Sequence, residues 1–144
     1  MERQKKIVVV DASVVAKWFV DEEHTKRALQ LRDDYTKGIV DLRSTQLMPF
    51  EVLNALRYNP SLGQTEVEKA GLALTRFRMG LYPLLEELKD ACVRLAFKHG
   101  VTIYDASYLA LSQYLEKELY TADEKLLIKT KGEETIHHIE EYHR

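Results

Sequence analysis

The stretch Ile7–Val10 is the feature of this sequence that most restricts the fold. It is an unbroken run of β-branched residues, which is typical of a strand covered on both faces. Such strands occur in parallel sheets flanked by helices. Asp11 follows the run directly, and the apolar character resumes over residues 12–16. A carboxylate therefore lies where a buried strand gives way to a helix.

The rest of the chain alternates predicted strands and helices, with no internal repeat or low-complexity linker. Further strands are predicted at 39–42, 118–122 and 135–139, and residues 81–84 are either a strand or merely extended. Helices are predicted at 13–20, 22–37, 49–58, 65–79, 85–99 and 105–116. This alternation predicts one α/β domain over residues 1–144, with a central, mostly parallel sheet and helices on both faces.

Composition narrows the possible partners and location. The net charge is -2, so the chain lacks the general basic field of proteins that coat nucleic acid, and any nucleic acid must bind to local patches. Cys92, the single cysteine, cannot form an internal disulfide. No segment approaches the roughly 18 apolar residues of a membrane span, and the N-terminal segment has no signal-peptide core. We therefore expect a cytoplasmic protein that does not bind membranes.

Four acidic residues lie where predicted helices begin. The triplet Asp-Ala-Ser occurs at 11–13 and again at 105–107, Asp123 follows the apolar stretch 119–122, and Glu51 comes two residues after Pro49. In a parallel sheet the strand-to-helix junctions gather along the carboxyl edge, where ligands bind. We therefore expect the four carboxylates to converge on one cleft.

Helix capping is the competing explanation for each aspartate, because Asp is among the best N-cap residues and favours the positive end of a helix. The apolar flanks argue for more than capping. Two carboxylates 4 Å apart repel by about 4 kcal/mol at an effective dielectric of 20, so a buried cluster requires a cation. Hard oxygen ligands without a cysteine or histidine pattern indicate Mg²⁺ or Mn²⁺ rather than zinc.

Four stretches resemble, in order and spacing, the acidic motifs of the PIN-domain ribonucleases, and most closely those of the VapC-type toxins of toxin–antitoxin systems: 8–13, 48–56, 102–111 and 120–126. The resemblance covers nearly the whole chain. It implies a three-layer α/β/α domain that cuts RNA endonucleolytically with Mg²⁺ or Mn²⁺. It also implies a VapB-like antitoxin partner and a homodimer.

The resemblance implies that four residues bind the catalytic metal and that two more support them with hydroxyl groups. The metal-binding residues are Asp11, Glu51, Asp105 and Asp123. The supporting residues are Ser13 and Thr121, for which hydrogen bonding within a helix N-terminal turn is an adequate alternative.

Two other functions remain open. One is a non-catalytic interaction module that keeps its acids for stability or for binding a partner. The other, a phosphoaspartyl phosphatase, also places an aspartate after the first strand but needs a second acid two residues later, where this chain has Ser13.

The remaining candidate residues have simpler explanations. His137 and His138 are neighbours in a predicted strand, so they face opposite sides and cannot share a metal. Cys92 is predicted to lie in the core, and His24 at the surface. Trp18 belongs either to the core or to a protein interface, and we count it with Tyr58 and Tyr82 as a candidate exposed aromatic residue.

Overall fold

A sheet of five parallel strands forms the centre of the protein in the computed structural model, which describes residues 5–144. Its strands are β1 (Lys6–Val10), β2 (Val40–Thr45), β3 (Gly80–Tyr82), β4 (Leu119–Thr121) and β5 (Ile136–His138). The helices are α1 (Ala12–Ala16), α2 (Thr25–Thr36), α3 (Met48–Arg57), α4 (Gln64–Phe77), α5 (Glu86–His99), α6 (Ile103–Leu115) and α7 (Glu124–Lys129), followed after β5 by a 3₁₀ helix (Ile139–Glu141).

The strand order β3-β2-β1-β4-β5 explains the layering. The chain moves outwards from β1 to β3 and then returns across the sheet to β4 and β5. Since parallel crossovers are right-handed, this reversal of direction places the later helices on the opposite face from the earlier ones. Helix α6 accordingly packs against β1 and β2 as the chain returns. The result is the expected three-layer α/β/α domain.

The first strand is buried on both faces, as its apolar run predicts. Val8, Val9 and Val10 are all 0 % exposed, and β1 pairs with β2 on one side and β4 on the other. Cys92 lies in the core as predicted.

The predicted first helix differs most from the observed one. Helix α1 ends at Ala16 instead of Val20, because the N–H groups of residues 17–19 bond to carbonyls three residues back and tighten the chain into a turn. This turn directs Trp18 inwards, where its indole Nε1 donates to the Ala28 carbonyl at 2.9 Å. Trp18 is only 7 % exposed, so its assignment as an exposed aromatic residue was wrong.

Two sequence expectations concern membranes and targeting. Within residues 5–144, no helix is both long and apolar enough to cross a bilayer. The prediction of no signal-peptide core concerns the N-terminal segment. The first four residues of that segment lie outside the described range.

Candidate active site

The site lies where the direction of the chain reverses in the sheet. Strands β1 and β4 are neighbours at the centre of the sheet, with Val9 beside Leu119 and Val10 beside Tyr120. The helices that follow them leave the carboxyl edge towards different sides, which opens a crevice between the two strand ends. Asp11 follows β1 and Asp123 follows β4, so both acids lie at this crevice.

Asp11 is the most buried of the four acids, with only 5 % of its surface exposed. Its Oδ1 accepts a hydrogen bond from Ser13 Oγ at 2.6 Å and one from the Val14 N–H at 3.3 Å. Its Oδ2 accepts a hydrogen bond from Thr121 Oγ1. Asp11 is therefore the N-cap of α1 and also a charge held by protein donors inside the crevice.

The hydroxyls of Ser13 and Thr121 join the two strand ends through more than Asp11. Ser13 Oγ accepts the Ala122 N–H at 2.8 Å, and Thr121 Oγ1 accepts the Asp123 N–H at 3.0 Å. Each hydroxyl thus donates to the Asp11 carboxylate and accepts a backbone N–H from the β4–α7 connection. This arrangement fits the supporting role implied for both residues. The hydrogen bonds connect α1 with the β4–α7 connection, so they extend beyond one helix turn.

Asp105 and Glu51 reach the site from the first turns of α6 and α3. Asp105 is not the N-cap of its helix, because the Thr102 hydroxyl takes that role by accepting the Asp105 N–H at 3.0 Å. Glu51 is held from across the site, where Tyr108 Oη donates to its Oε1 at 2.5 Å. Capping therefore does not explain either residue.

The pKa shifts show that the four acids are electrostatic neighbours. Burial, opposed by its hydrogen bonds and reinforced by the nearby charge of Asp123, raises the pKa of Asp11 to about 6. Burial and the charge of Asp123 also raise the pKa of Asp105. Burial raises the pKa of Glu51, and the charge of Asp105 adds to this effect. Each acid thus repels at least one other acid of the group, which we call the acidic crevice.

The four carboxylates surround the crevice without crowding one point. Among residues 5–144, no three of them bring ligand oxygens within 4.8 Å of one another. The four side chains therefore do not form a closed metal-binding cluster, and an ion such as Mg²⁺, which usually keeps several waters, would be held by one or two of them. The donor set consists of hard oxygen atoms, which fits Mg²⁺ or Mn²⁺.

Tyr108 is the member of the site that sequence reasoning missed. It is 2 % exposed on the very apolar helix α6 and so reads as a core residue. Burial and its bond to Glu51 raise the pKa of Tyr108, so the phenol stays protonated and donates. Its position three residues after Asp105 was the available signal, because such residues share a helix face.

Known proteins resemble this chain in both sequence and fold. The family model described as the PIN domain matches residues 8–132. The chain is 33 % identical over 127 residues to "Ribonuclease VapC3" of Pyrobaculum aerophilum, covering 85 % of this chain and 93 % of that one. It is 32 % identical over 100 residues to "Exonuclease VapC9" of the same organism, covering 69 % and 75 %.

A solved structure shows the same fold. The match is to a chain of a toxin–antitoxin complex from Klebsiella pneumoniae, with a TM-score of 0.69 and 15 % identity, covering 92 % of this chain and 97 % of that chain.

Asp11→Asn should remove a pH-dependent loss of stability. A pKa of about 6 in the folded chain, against about 3.9 in an unfolded one, means that the folded protein binds this proton more tightly. The contribution of Asp11 to stability without divalent metal should therefore fall by about 3 kcal/mol as the pH rises from below 4 to above 6. Asparagine cannot ionise, yet it caps nearly as well, so the variant should equal or exceed the parent in stability at neutral pH.

Urea unfolding at several pH values, with chelator present, measures this effect. The matched control is Asp21→Asn, which changes an exposed aspartate and should leave the pH profile as it is in the parent. A neutral-pH loss of about 1 kcal/mol or more in Asp11→Asn would contradict the repulsion argument, because it would show that the ionised carboxylate and its hydrogen bonds stabilise the fold without a cation.

Proposed function

Because the chain belongs to the PIN-domain family, we propose that it is a metal-dependent endoribonuclease of the VapC type that hydrolyses RNA phosphodiester bonds. The observation that supports the proposal is the acidic crevice, where carboxylates from separate elements lie near enough to raise one another's pKa. Such a concentration of negative charge is costly unless a cation compensates it. The proposed place of action is the cytoplasm.

Asp11, Glu51, Asp105 and Asp123 would hold one or two ions of Mg²⁺ or Mn²⁺. The ion, when bound, lowers the pKa of a water molecule and neutralises charge on the phosphate oxygens. The protein supplies the geometry. Ser13 and Thr121 fix both oxygens of Asp11, so this carboxylate is preorganised before any ligand enters.

Glu51 is suited to orient the attacking water. Its Oε1 accepts the Tyr108 hydroxyl, which fixes the carboxylate and leaves Oε2 for a proton of a water molecule. Lys129 lies close enough to lower the pKa of Asp105 and can contact a phosphate of the RNA backbone. Since the reacting groups are carboxylates and not a histidine pair, we propose products with a 3′-hydroxyl and a 5′-phosphate.

The two other functions fit the site less well. A phosphoaspartyl phosphatase needs a second acid two residues after its first aspartate, and this chain has Ser13 at that position, where the hydroxyl donates to Asp11. An interaction module without catalysis would not need Tyr108 to fix Glu51. A failed cleavage experiment would support the interaction module.

We propose that an antitoxin segment binds in the apolar groove beside the acidic crevice. The groove has a volume of about 360 Å³ and is lined by Phe50, Leu84, Tyr104 and neighbouring residues. Phe50 is 74 % exposed and Tyr104 is 58 % exposed, and they directly precede Glu51 and Asp105. A basic side chain on a segment lying in this groove would reach the carboxylates. We also propose a homodimer, for which exposed Tyr58 is a candidate contact.

Leu84→Ser should weaken the binding of a small antitoxin encoded beside this gene, because Leu84 is 60 % exposed and lines the groove. Calorimetry with the purified pair should show a loss of about tenfold, the effect of one buried apolar side chain. Ile128→Ser is the matched control, since Ile128 is 75 % exposed and does not line the groove. Equal affinities for both variants would place the partner elsewhere, and light scattering that shows a strict monomer would exclude the homodimer.

Asp105→Asn should abolish RNA cleavage without unfolding the domain. The change removes a ligand charge, while Thr102 still caps α6, and activity should fall by at least about 100-fold, since losing even an indirect metal contact costs 10–100-fold. The substrates are transfer RNAs and ribosomal RNA hairpins with Mg²⁺ or Mn²⁺, and chelator should stop the reaction. Activity of the parent should also decline below neutral pH, because the attacking water must lose a proton.

The matched control is Asp90→Asn, an exposed aspartate on α5, which should cut like the parent. If Asp105→Asn protein, purified in the same way, cleaves the RNA panel as fast as the parent, the nuclease proposal is wrong and the interaction module takes its place.

A further inference from the structure

A second group of metal-ligating side chains lies outside the acidic crevice. His24 precedes α2, Glu124 is the first residue of α7 and His138 ends β5. One ligand atom from each of these residues lies within 4.8 Å of the others, and we call the three residues the histidine cluster. His24 was predicted at the surface, but its side chain is only 19 % exposed. That prediction was wrong, because the end of the chain covers this residue.

The hydrogen bonds of His24 prepare one of its nitrogens as a ligand. Nδ1 lies 2.8 Å from Glu140 Oε1, and since an ionised carboxylate only accepts, Nδ1 carries the proton. In the neutral ring this leaves a lone pair on Nε2. A carboxylate behind a metal-binding histidine is the usual device that fixes the tautomer and strengthens the ligand.

The Nε2 atom of His24 is buried and has no hydrogen-bond partner among the residues that the structure describes. The carboxylate oxygens near it are Glu23 Oε1 at 3.5 Å and Glu124 Oε1 at 3.9 Å. A buried polar atom without a partner is costly. Neither carboxylate is within hydrogen-bonding reach in the geometry that the structure describes, so Nε2 is available as a ligand atom facing Glu124.

His138 completes the group from the opposite side. Its ring centroid lies 4.5 Å from that of His24, and its Nδ1 accepts the Glu140 N–H at 3.0 Å. That backbone N–H belongs to an exposed residue, so water can replace the bond if His138 turns to bind an ion. His137, its neighbour in β5, points away and bonds to Glu118 and Glu141 instead.

We propose that His24, Glu124 and His138 bind a transition-metal ion of the zinc class. Two imidazole nitrogens and a carboxylate oxygen form a set that suits Zn²⁺ or Co²⁺ and does not suit Mg²⁺. Tetrahedral zinc with bonds of about 2.0–2.2 Å holds its ligand atoms about 3.4 Å apart. The three ligand atoms lie within 4.8 Å of one another, so each pair must close in by no more than about 1.4 Å. Glu124 is exposed and free to make this movement, and solvent supplies the fourth ligand.

The histidine cluster and the acidic crevice are separate sites. Glu124 follows Asp123 in the chain, but Asp123 turns its own carboxylate to the Leu126 N–H at 3.1 Å, whereas Glu124 faces His24. The proposal therefore does not depend on nuclease activity. An ion in the cluster would tie the start of α2 and the end of β5 to the start of α7.

Co²⁺ titration of the full chain tests the site through the visible absorption of cobalt bound by histidine. The experiment uses excess Mg²⁺ to occupy the acidic crevice. His24→Asn and His138→Asn are the chosen variants because Asn tolerates the left-handed backbone of His24 and caps the 3₁₀ helix that His138 now caps. His137→Asn is the matched control. Each of the two variants should weaken binding by about 100-fold or more, since even indirect ligands contribute 10–100-fold.

Zn²⁺ should also raise the melting temperature of the parent and of His137→Asn, but not that of the two variants. If either variant fails to fold by circular dichroism, Glu124→Gln replaces it, since that exposed side chain carries no packing role. Cobalt spectra and affinities that are the same in the parent and the variants would overturn the proposal. The cluster would then be a group of hydrogen-bonded side chains without a metal.

Discussion

The rest of the site depends on the way the buried carboxylate of Asp11 is held. A charge that is 5 % exposed must be compensated, and the compensation comes from Ser13, Thr121 and the Val14 N–H. These donors belong to α1 and to the end of β4. The same bonds that stabilise the charge therefore fix the two central strand ends relative to each other, and the crevice between them takes its shape from this contact.

Capping and metal binding are not exclusive explanations for these acids. Asp11 and Asp123 each accept a backbone N–H at the start of a helix, as the capping argument predicts. Asp105 and Glu51 do not cap their helices, because Thr102 caps α6 and the Glu51 carboxylate accepts the Tyr108 hydroxyl. For Asp11 and Asp123, which follow β1 and β4, one position both stabilises a helix and lies at the carboxyl edge of the sheet.

The alternation of apolar runs and amphipathic helices was enough to predict the parallel sheet and its two layers of helices, because burial on both faces leaves a clear pattern in the sequence. Asp11, Glu51 and Asp123 follow strands as that order predicts, whereas Asp105 follows helix α5. The sequence did not predict the Tyr108–Glu51 bond or the inward turn of Trp18. Both depend on contacts between distant segments, such as Tyr108 to Glu51 and Trp18 to Ala28. His24 was misplaced for the same reason, since Glu140 and His138 approach it from the far end of the chain.

The proposed nuclease chemistry requires a divalent ion in the acidic crevice. Crystals grown with Mn²⁺ allow the ion to be located directly by its anomalous scattering. We expect a peak between Asp11 and Asp105, with at least one carboxylate oxygen of each at about 2.0–2.3 Å and waters completing the coordination. If crystals at a saturating manganese concentration show no peak in the crevice, or peaks only at other sites, the acidic crevice does not bind the catalytic ion.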